Sequence, residues 1–542
     1  MLINIFNRHR QIFLLLFLLI IIGGFFRFYN LNWGAPFYFH PDERNIISSV
    51  IQLSYPTELN PHFFAYGSFP IYLTYFTSLV VKFFQTPQDL FAQLVMIGRF
   101  YSTILSILLI PSMYFVGREI AGKKVGFLAA IISTFSVGLI QFAHFGTVEM
   151  WLTFLGLWFF YFSGKLIEKS NIKNTTIVGF IFGILMATKI SSLPLILLPI
   201  TAMLFGYFSK FKAKKKYSEL FKKILNGLIL ISVSFVIFAI LSPYVFLDFK
   251  AFLSSMQYES SVALGTLPVF YTAEFFNSVP ILFQFIKIYP FLINPLLTII
   301  FIPSFFYLSF AAIKTKNQKY LMLNLAFLIL FLPQAFLFTK WTRYMIPTLT
   351  FIYLIISITL INLFKIINLN FRYFILCIIF AVSLIYSISY FMTAFAVTDT
   401  RIQAGLWAKN NIENANTVSE VYDLGLIAFN PYFSKITMFN FYDLDNAGVR
   451  KIEEIDSLLS ESKYIILPSN RILKTRLTNP KQFPIGHDFY TSLFNNKLGF
   501  TKIYETPCDI FCRITYLNNP TFSFEYTASV FDRPTVFIFK KR

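Results

Sequence analysis

The run Arg8-His9-Arg10-Gln11-Ile12-Phe13-Leu14-Leu15-Leu16-Phe17-Leu18-Leu19-Ile20-Ile21-Ile22-Gly23-Gly24-Phe25-Phe26-Arg27 sets two arginines ahead of an apolar segment that approaches bilayer-spanning length. A cleaved secretory leader opens in the same way, but no small-x-small cleavage site follows. Arg27, Tyr29 and Trp33 read instead as anchors at a membrane interface, so the segment is expected to persist as a helix with its N-terminus inside. The remainder of the chain agrees. Of 542 residues, 56% are hydrophobic and 13% charged, against about a quarter charged in a soluble domain, and mean hydropathy is +0.63. Disorder and a collagen-like chain are excluded by the same figures, and three Cys cannot staple a fold of this length.

A net charge of +20 in such a chain reports orientation rather than nucleic-acid binding, because Lys and Arg collect in cytoplasmic loops. Further apolar runs predict spans at 92–117, 125–143, 147–164, 175–190, 191–208, 224–246, 288–312, 320–338, 343–364 and 371–393, about eleven in all. The short stretch Phe69 to Phe84, which carries Lys82, is expected to be an interfacial or re-entrant helix. If it crossed, the basic loops at Arg118, Lys123 and Lys124, at Lys165, Lys169 and Lys173, and at 210–223 would all move outside. The run with Lys210, Lys212, Lys214, Lys215, Lys216 and Lys222 reads as a stop-transfer loop. The chain thus divides into a membrane part, 1–398, with a long first outer loop at 30–91, and an extracytoplasmic region, 399–542. There, candidate strands (Thr417–Tyr422, Lys435–Tyr442, Tyr464–Pro468, Thr535–Phe539) alternate with helical patterns (Arg401–Asn411, Val449–Ser460, Tyr490–Lys497), which suggests a small α/β domain. Cys508 and Cys512 could pair there, but they lack the further ligands of a zinc site.

Chemistry concentrates just beyond the first helix, at Phe39-His40-Pro41-Asp42-Glu43-Arg44. Proline followed by two acids and then Ile46, Ile47, Val50 and Ile51 is a helix start. Acids there also favour the helix dipole whatever their function. In a chain poor in carboxylates, near a membrane surface, an acidic pair marks function more strongly. Adjacent helical residues point about 100° apart, so Asp42 and Glu43 are not expected to share a proton. One carboxylate facing a reacting hydroxyl, with cations to receive a phosphate leaving group, is the requirement of an inverting sugar transfer. Glycosidases need two opposed carboxylates, because their leaving group must be protonated. Lys189, Lys340 and Arg343 sit on the outer side against the positive-inside trend, as an anionic partner there would require. Snorkelling of the long side chains to the interface is the competing explanation. Glu149, five residues after His144, is another costly acid at the outer start of the 147–164 span.

Taken together these segments resemble the GT-C superfamily of polyprenyl-phosphate-sugar-dependent glycosyltransferases, in its protein mannosyltransferase and lipid A aminoarabinose transferase branch. The resemblance spans nearly the whole chain. It rests on His40-Pro41-Asp42-Glu43, on Ala143-His144-Phe145-Gly146-Thr147-Val148-Glu149 (where the family segment usually ends in Asp), on Gly179 to Lys189, and on Lys340-Trp341-Thr342-Arg343-Tyr344-Met345-Ile346-Pro347. The stretches Tyr464 to Arg471 and Phe531 to Phe539 resemble C-terminal domains of bacterial members. The resemblance implies an all-α polytopic GT-C-like membrane protein with Asp42 as catalytic base supported by Glu43. Lys340, Arg343 and Lys189 would hold the donor phosphate, and His40, His144 and Glu149 would orient substrate. Its partners would be a polyprenyl-phosphate-linked sugar, a hydroxyl acceptor on protein, lipid or glycan, and the bilayer, with no nucleic acid, metal or other cofactor. The rival reading is a transporter or flippase of lipid-linked sugars, whose acids should lie deep in spans and which should show inverted repeats. A sensory membrane protein whose outer domain binds a partner is a third.

Overall fold

The computed structural model describes residues 2–85, 87–209, 216–421, 423–446 and 449–542. Residues 210–215 of the basic run, and Tyr422 at the end of the first candidate strand, lie outside them. Nine described helices are long and apolar enough to cross a membrane, or ten if a bent pair counts as one span. The eleven expected spans correspond to these nine, the bent pair, and Ile172–Thr188, which has only 17 residues. The pair Lys123–Thr134 and Val137–Ala143 turns by 57° at Phe135-Ser136, where the Ser136 hydroxyl accepts the Leu139 N–H and starts the second helix. Ser68–Phe84 is a separate short apolar helix.

Leu349–Leu363 is the central helix, with nearly every side chain buried. Around it, Leu90–Ala121, Glu149–Glu168, Pro295–Lys314 and Gln318–Phe336 contribute to one continuous apolar core. The stretch Leu220–Leu241, by contrast, exposes Leu228, Ile231, Phe235, Val236 and Ile240, as a face toward lipid tails requires. Arg27 is no interfacial anchor. It is fully buried and donates to Ser106 Oγ at 2.8 Å and to the carbonyls of Gly23, Ser133 and Thr134 at 2.9–3.1 Å. Trp33 is buried too, donating its indole N–H to the His144 carbonyl at 3.0 Å. Both satisfy polar groups inside the bundle, where water is absent.

The C-terminal region carries a five-stranded sheet: β1 (Thr417–Glu420), β2 (Ile436–Phe439), β3 (Tyr464–Leu467), β4 (Phe500–Glu505) and β5 (Phe537–Lys541), in the order β2-β1-β3-β5-β4. The first three strands are parallel, and β5 runs antiparallel to both β3 and β4. Four of these were expected; β4 was not. Helices Thr400–Asn411 and Val449–Glu461 match the expected patterns, whereas the third is Pro484–Phe494, beginning at a proline in its first turn. This region is not detached from the bundle. Cys512, Tyr516, Phe524 and Ala528 join the membrane core, and Asp532 accepts from Tyr390 Oη and from Gln141 Nε2. Cys508 and Cys512 form a disulfide within the same segment.

Glu420, at the end of β1, is fully buried and accepts the Tyr490 hydroxyl at 2.7 Å. Burial and the nearby Asp423 push its carboxyl up to about 8, outweighing the Tyr490 bond. The folded chain therefore retains a proton that an unfolded glutamate, near 4.5, has released. The stability this contributes is complete below the unfolded value and is lost as pH rises through the folded one. Thermal unfolding of the intact protein in detergent should accordingly shift to lower temperature between about pH 5 and 8, and Glu420→Gln should flatten that slope. An unchanged slope in the variant contradicts the assignment.

Candidate functional site

Helix Pro41–Ile51 begins as the sequence predicts, with extended His40 before it and Pro41 at its first position. The two acids diverge, as adjacent helical positions must. Glu43 points into the bundle and takes a two-pronged bond from Arg99, Nε to Oε1 at 2.8 Å and Nη2 to Oε2 at 2.7 Å. The Gly146 N–H adds a third bond at 2.6 Å, and Arg99 Nη1 also caps the Leu31 and Trp33 carbonyls at 2.9 Å. Pair and partner are almost wholly out of solvent. Burial works against the Glu43 charge, but Arg99 and the Gly146 N–H hold its carboxyl below the ordinary range. Glu43 thus ties the first loop to Leu90–Ala121 and to the segment before Glu149, and sets the direction of its neighbour.

That neighbour, Asp42, meets Arg343 in a close ion pair through Oδ2 and Nη1. Arg343 Nη1 also donates to Tyr66 Oη at 3.0 Å, while Arg343 Nε is buried without a partner. Burial opposes the Asp42 charge, and Arg343, His40 and Lys189 together bring its carboxyl below its ordinary value. Lys189 follows Ile172–Thr188 directly, its ammonium 5.1 Å from the Tyr66 ring and 5.4 Å from the Tyr344 ring. Gly67 makes this approach possible: its N–H donates to the Thr188 carbonyl at 2.9 Å, and a Cβ there would lie 1.9 Å from the Ala187 carbonyl oxygen. Glu149 opens its own helix with Oε2 buried and unpartnered.

Asp42, Glu149, Lys189 and Arg343 line one cavity of about 720 Å³, joined by Glu259, which no sequence motif singled out. A much narrower cleft of about 50 Å³ shares Glu149, Lys189, Arg343 and Tyr344 with it, and its other walls include Leu195, Ile329, Leu330 and Pro333. The two cations therefore stand where the wide chamber and the narrow cleft share a wall. His40 also lines the chamber, its ring 4.3 Å from Phe531 and 4.5 Å from Phe145, with burial lowering its basicity.

Two expected residues line neither cavity. Lys340 is buried, donates its ammonium to the Leu337 and Phe338 carbonyls at 2.8 and 3.1 Å, and lines neither cavity. Extended backbone at Trp341 separates it from the turn bearing Arg343, so the two side chains part. His144 also lies outside the chamber. Its ring nitrogens face the Ile140 and Tyr29 carbonyls at 2.9 and 3.0 Å, and the ring stacks 3.6 Å from Phe395. Arg343 itself is steadied by the C-terminal region, because Glu525 accepts both the N–H and the hydroxyl of Thr342, at 2.9 and 2.7 Å. Among the described residues no group of three His, Cys, Asp or Glu side chains is disposed to hold a metal ion.

Residues 70–256 match the family model described as dolichyl-phosphate-mannose-protein mannosyltransferase. The fold is shared with the oligosaccharyltransferase of Archaeoglobus fulgidus. Its apo crystal structure aligns at a TM-score of 0.51 and 11% identity, over 98% of this chain and 88% of that one. The zinc- and sulfate-bound form aligns at 0.50 and 12%, over 97% and 88%. ArnT from Cupriavidus metallidurans, solved bound to undecaprenyl phosphate, aligns at 0.45 and 11%, over 86% and 94%. No curated protein sequence matches the chain significantly. The chain thus resembles the GT-C glycosyltransferases in fold and in a mannosyltransferase-like segment.

Proposed function

We propose that this multi-pass membrane protein is a glycosyltransferase. It moves a sugar, a mannose-like hexose or a pentose, from a polyprenyl-phosphate donor to a hydroxyl on a protein, lipid or glycan acceptor, with inversion. The observation that carries this reading is the meeting of Asp42 with Lys189 and Arg343 on one chamber, beside a cleft whose further walls include Leu195, Ile329, Leu330 and Pro333. A lipid-linked phosphate needs that pairing: cations for the head beside an apolar path for the tail, which then never leaves a nonpolar setting.

The steps follow from the groups present. The donor phosphate binds between Lys189 and Arg343, and Arg343 can offer its unpartnered Nε while Nη1 stays near Asp42. The phosphate's negative charge on the same guanidinium offsets part of its positive charge and so raises the basicity of Asp42. The acceptor oxygen attacks the anomeric carbon on the face away from phosphate, and its proton passes to Asp42. The bond from that carbon to the phosphate oxygen breaks, its electron pair leaving with the phosphate, whose growing charge the two cations stabilise. Glu43 stays paired with Arg99 and fixes the direction of Asp42 without touching substrate. With the N-terminus cytoplasmic, the positive-inside pattern sets the chamber on the extracytoplasmic side.

The test is transfer in proteoliposomes from a panel of radiolabelled polyprenyl-phosphate sugars to endogenous-type protein, lipid and glycan acceptors. Transfer from at least one donor, with inverted anomeric configuration in the product, supports the reading. Movement of labelled donor between leaflets with no transfer to any acceptor overturns it in favour of a carrier.

A further inference from the structure

The chamber has a second charged station, assembled from elements that the proposed transfer step does not use. Arg471, at the start of helix Arg471–Thr478, lines it together with Asp423, Phe270, Tyr271, Tyr526 and Thr527. The Arg471 guanidinium lies 5.7 Å from the Phe270 ring and 5.5 Å from the Tyr526 ring, and its Nε is buried with no hydrogen-bond partner. Asp423 is held rigidly. Its Oδ1 accepts the Gly425 N–H at 2.7 Å, its Oδ2 accepts the Ser469 hydroxyl, and Ser469 Oγ in turn accepts the Arg471 N–H at 3.2 Å. Each carboxylate oxygen keeps a further lone pair for a ligand. Ser469 therefore joins the Asp423 carboxylate to the backbone of Arg471, and the two charged side chains share the chamber wall.

The chemistry of that wall is selective. A carboxylate that accepts hydroxyl protons, a guanidinium that donates to hydroxyl oxygens, and aromatic faces beside both are what a neutral saccharide ring presents partners for: hydroxyls around its rim and C–H groups on its faces. A peptide would instead call for a sheet edge or pockets for alternate side chains. An anionic ligand would be repelled by Asp423. A volume of about 720 Å³ falls in the range of sites that enclose small ligands, so one chamber can take a donor sugar and an acceptor unit together.

We propose that Asp423 and Arg471, with Phe270, Tyr271 and Tyr526, form the acceptor subsite and that the acceptor they recognise is a neutral glycan rather than a polypeptide. The inference rests on the transferase reading and narrows its acceptor to one class. Recognition by the C-terminal region also accounts for the contacts that seat it on the chamber: Glu525 on Thr342, and Lys474 paired with Glu274, which accepts the Tyr526 N–H at 2.8 Å.

Binding tests this independently of turnover. The probes are a library of neutral hexose and pentose trisaccharides and a set of Ser/Thr-containing nonapeptides, offered to the intact protein in nanodiscs and read by saturation-transfer NMR. At least one trisaccharide should bind saturably to wild type and equally to Asp42→Asn. Affinity should fall at least about tenfold in Arg471→Ala and in Asp423→Asn, since each loses a hydrogen bond to or from a charged group. Asp423→Asn keeps the size of the side chain, so it decides the matter if Arg471→Ala is poorly folded. Saturable peptide binding without saccharide binding, saccharide binding indifferent to both substitutions, or binding of no trisaccharide overturns the proposal. Failure of the transferase reading shows elsewhere, as trisaccharide binding that meets these criteria in a protein that transfers no sugar.

Discussion

Asp42→Asn is expected to cut sugar transfer by about 100-fold or more, the usual loss when a general base is removed. Asparagine is nearly isosteric, and its carbonyl oxygen can still accept from Arg343 Nη1, so the ion-paired geometry at the chamber survives as a neutral hydrogen bond. What it cannot do is take the acceptor's proton. The fall should therefore appear in kcat at saturating donor, with donor affinity held or slightly improved, since Arg343 no longer has a carboxylate competing with phosphate. A variant that transfers at the wild-type rate removes Asp42 from the chemistry. A variant that instead loses donor affinity with kcat intact makes Asp42 a binding group.

The second large effect concerns stability. Arg99→Met leaves the Glu43 carboxylate buried with only the Gly146 N–H for company, and breaking a buried pair in this way costs about 3–5 kcal/mol. Two backbone carbonyls, Leu31 and Trp33, lose their donor as well. The apparent unfolding temperature of the detergent-solubilised variant should drop steeply. The double variant Glu43→Leu with Arg99→Met should recover much of the loss, because an apolar pair of similar volume leaves no charge uncompensated. Equal stability of Arg99→Met and wild type would mean that Glu43 is neutral or solvated, contrary to its geometry.

Much of the site was legible because charge is rare in this chain. Asp42 stood out in the acidic pair of the first outer loop, and Glu149, Lys189 and Arg343 as ionisable groups at span ends; all four line one chamber. The same signal was present at Arg99 and Arg27, which lie within or at the ends of apolar runs. Arg27, at the end of its apolar run, reads as an anchor, and Arg99, inside the run 92–117, belongs to no recognised motif. Only the fold reveals that Arg99 serves Glu43 and that Arg27 serves the Ser106 hydroxyl and the Ser133 and Thr134 carbonyls, 79 to 107 residues away in sequence. Lys340 and Arg343 show the opposite failure. Three residues apart and both basic, they read as one cluster, yet the extended backbone between them sends one to local carbonyls and the other to Asp42. Strand β4 went unread because Phe500–Glu505 mixes polar and apolar residues and is specified largely by pairing with β5. Asp423 carried no motif, and Arg471 only closed the Tyr464–Arg471 stretch with no role assigned; both gain meaning from a region that folds back over the bundle, a tertiary fact invisible in local pattern.

Equilibrium binding of undecaprenyl phosphate to the intact protein in nanodiscs decides whether the junction of chamber and cleft is a phosphate site. Wild type and Lys340→Met should bind alike, since the Lys340 ammonium is engaged with backbone carbonyls. Arg343→Gln should bind at least about tenfold more weakly, having lost a charge-assisted hydrogen bond to the head group. Arg343→Gln binding as tightly as wild type, or Lys340→Met alone losing affinity, would contradict the convergence of Asp42, Lys189 and Arg343 on a lipid-linked phosphate.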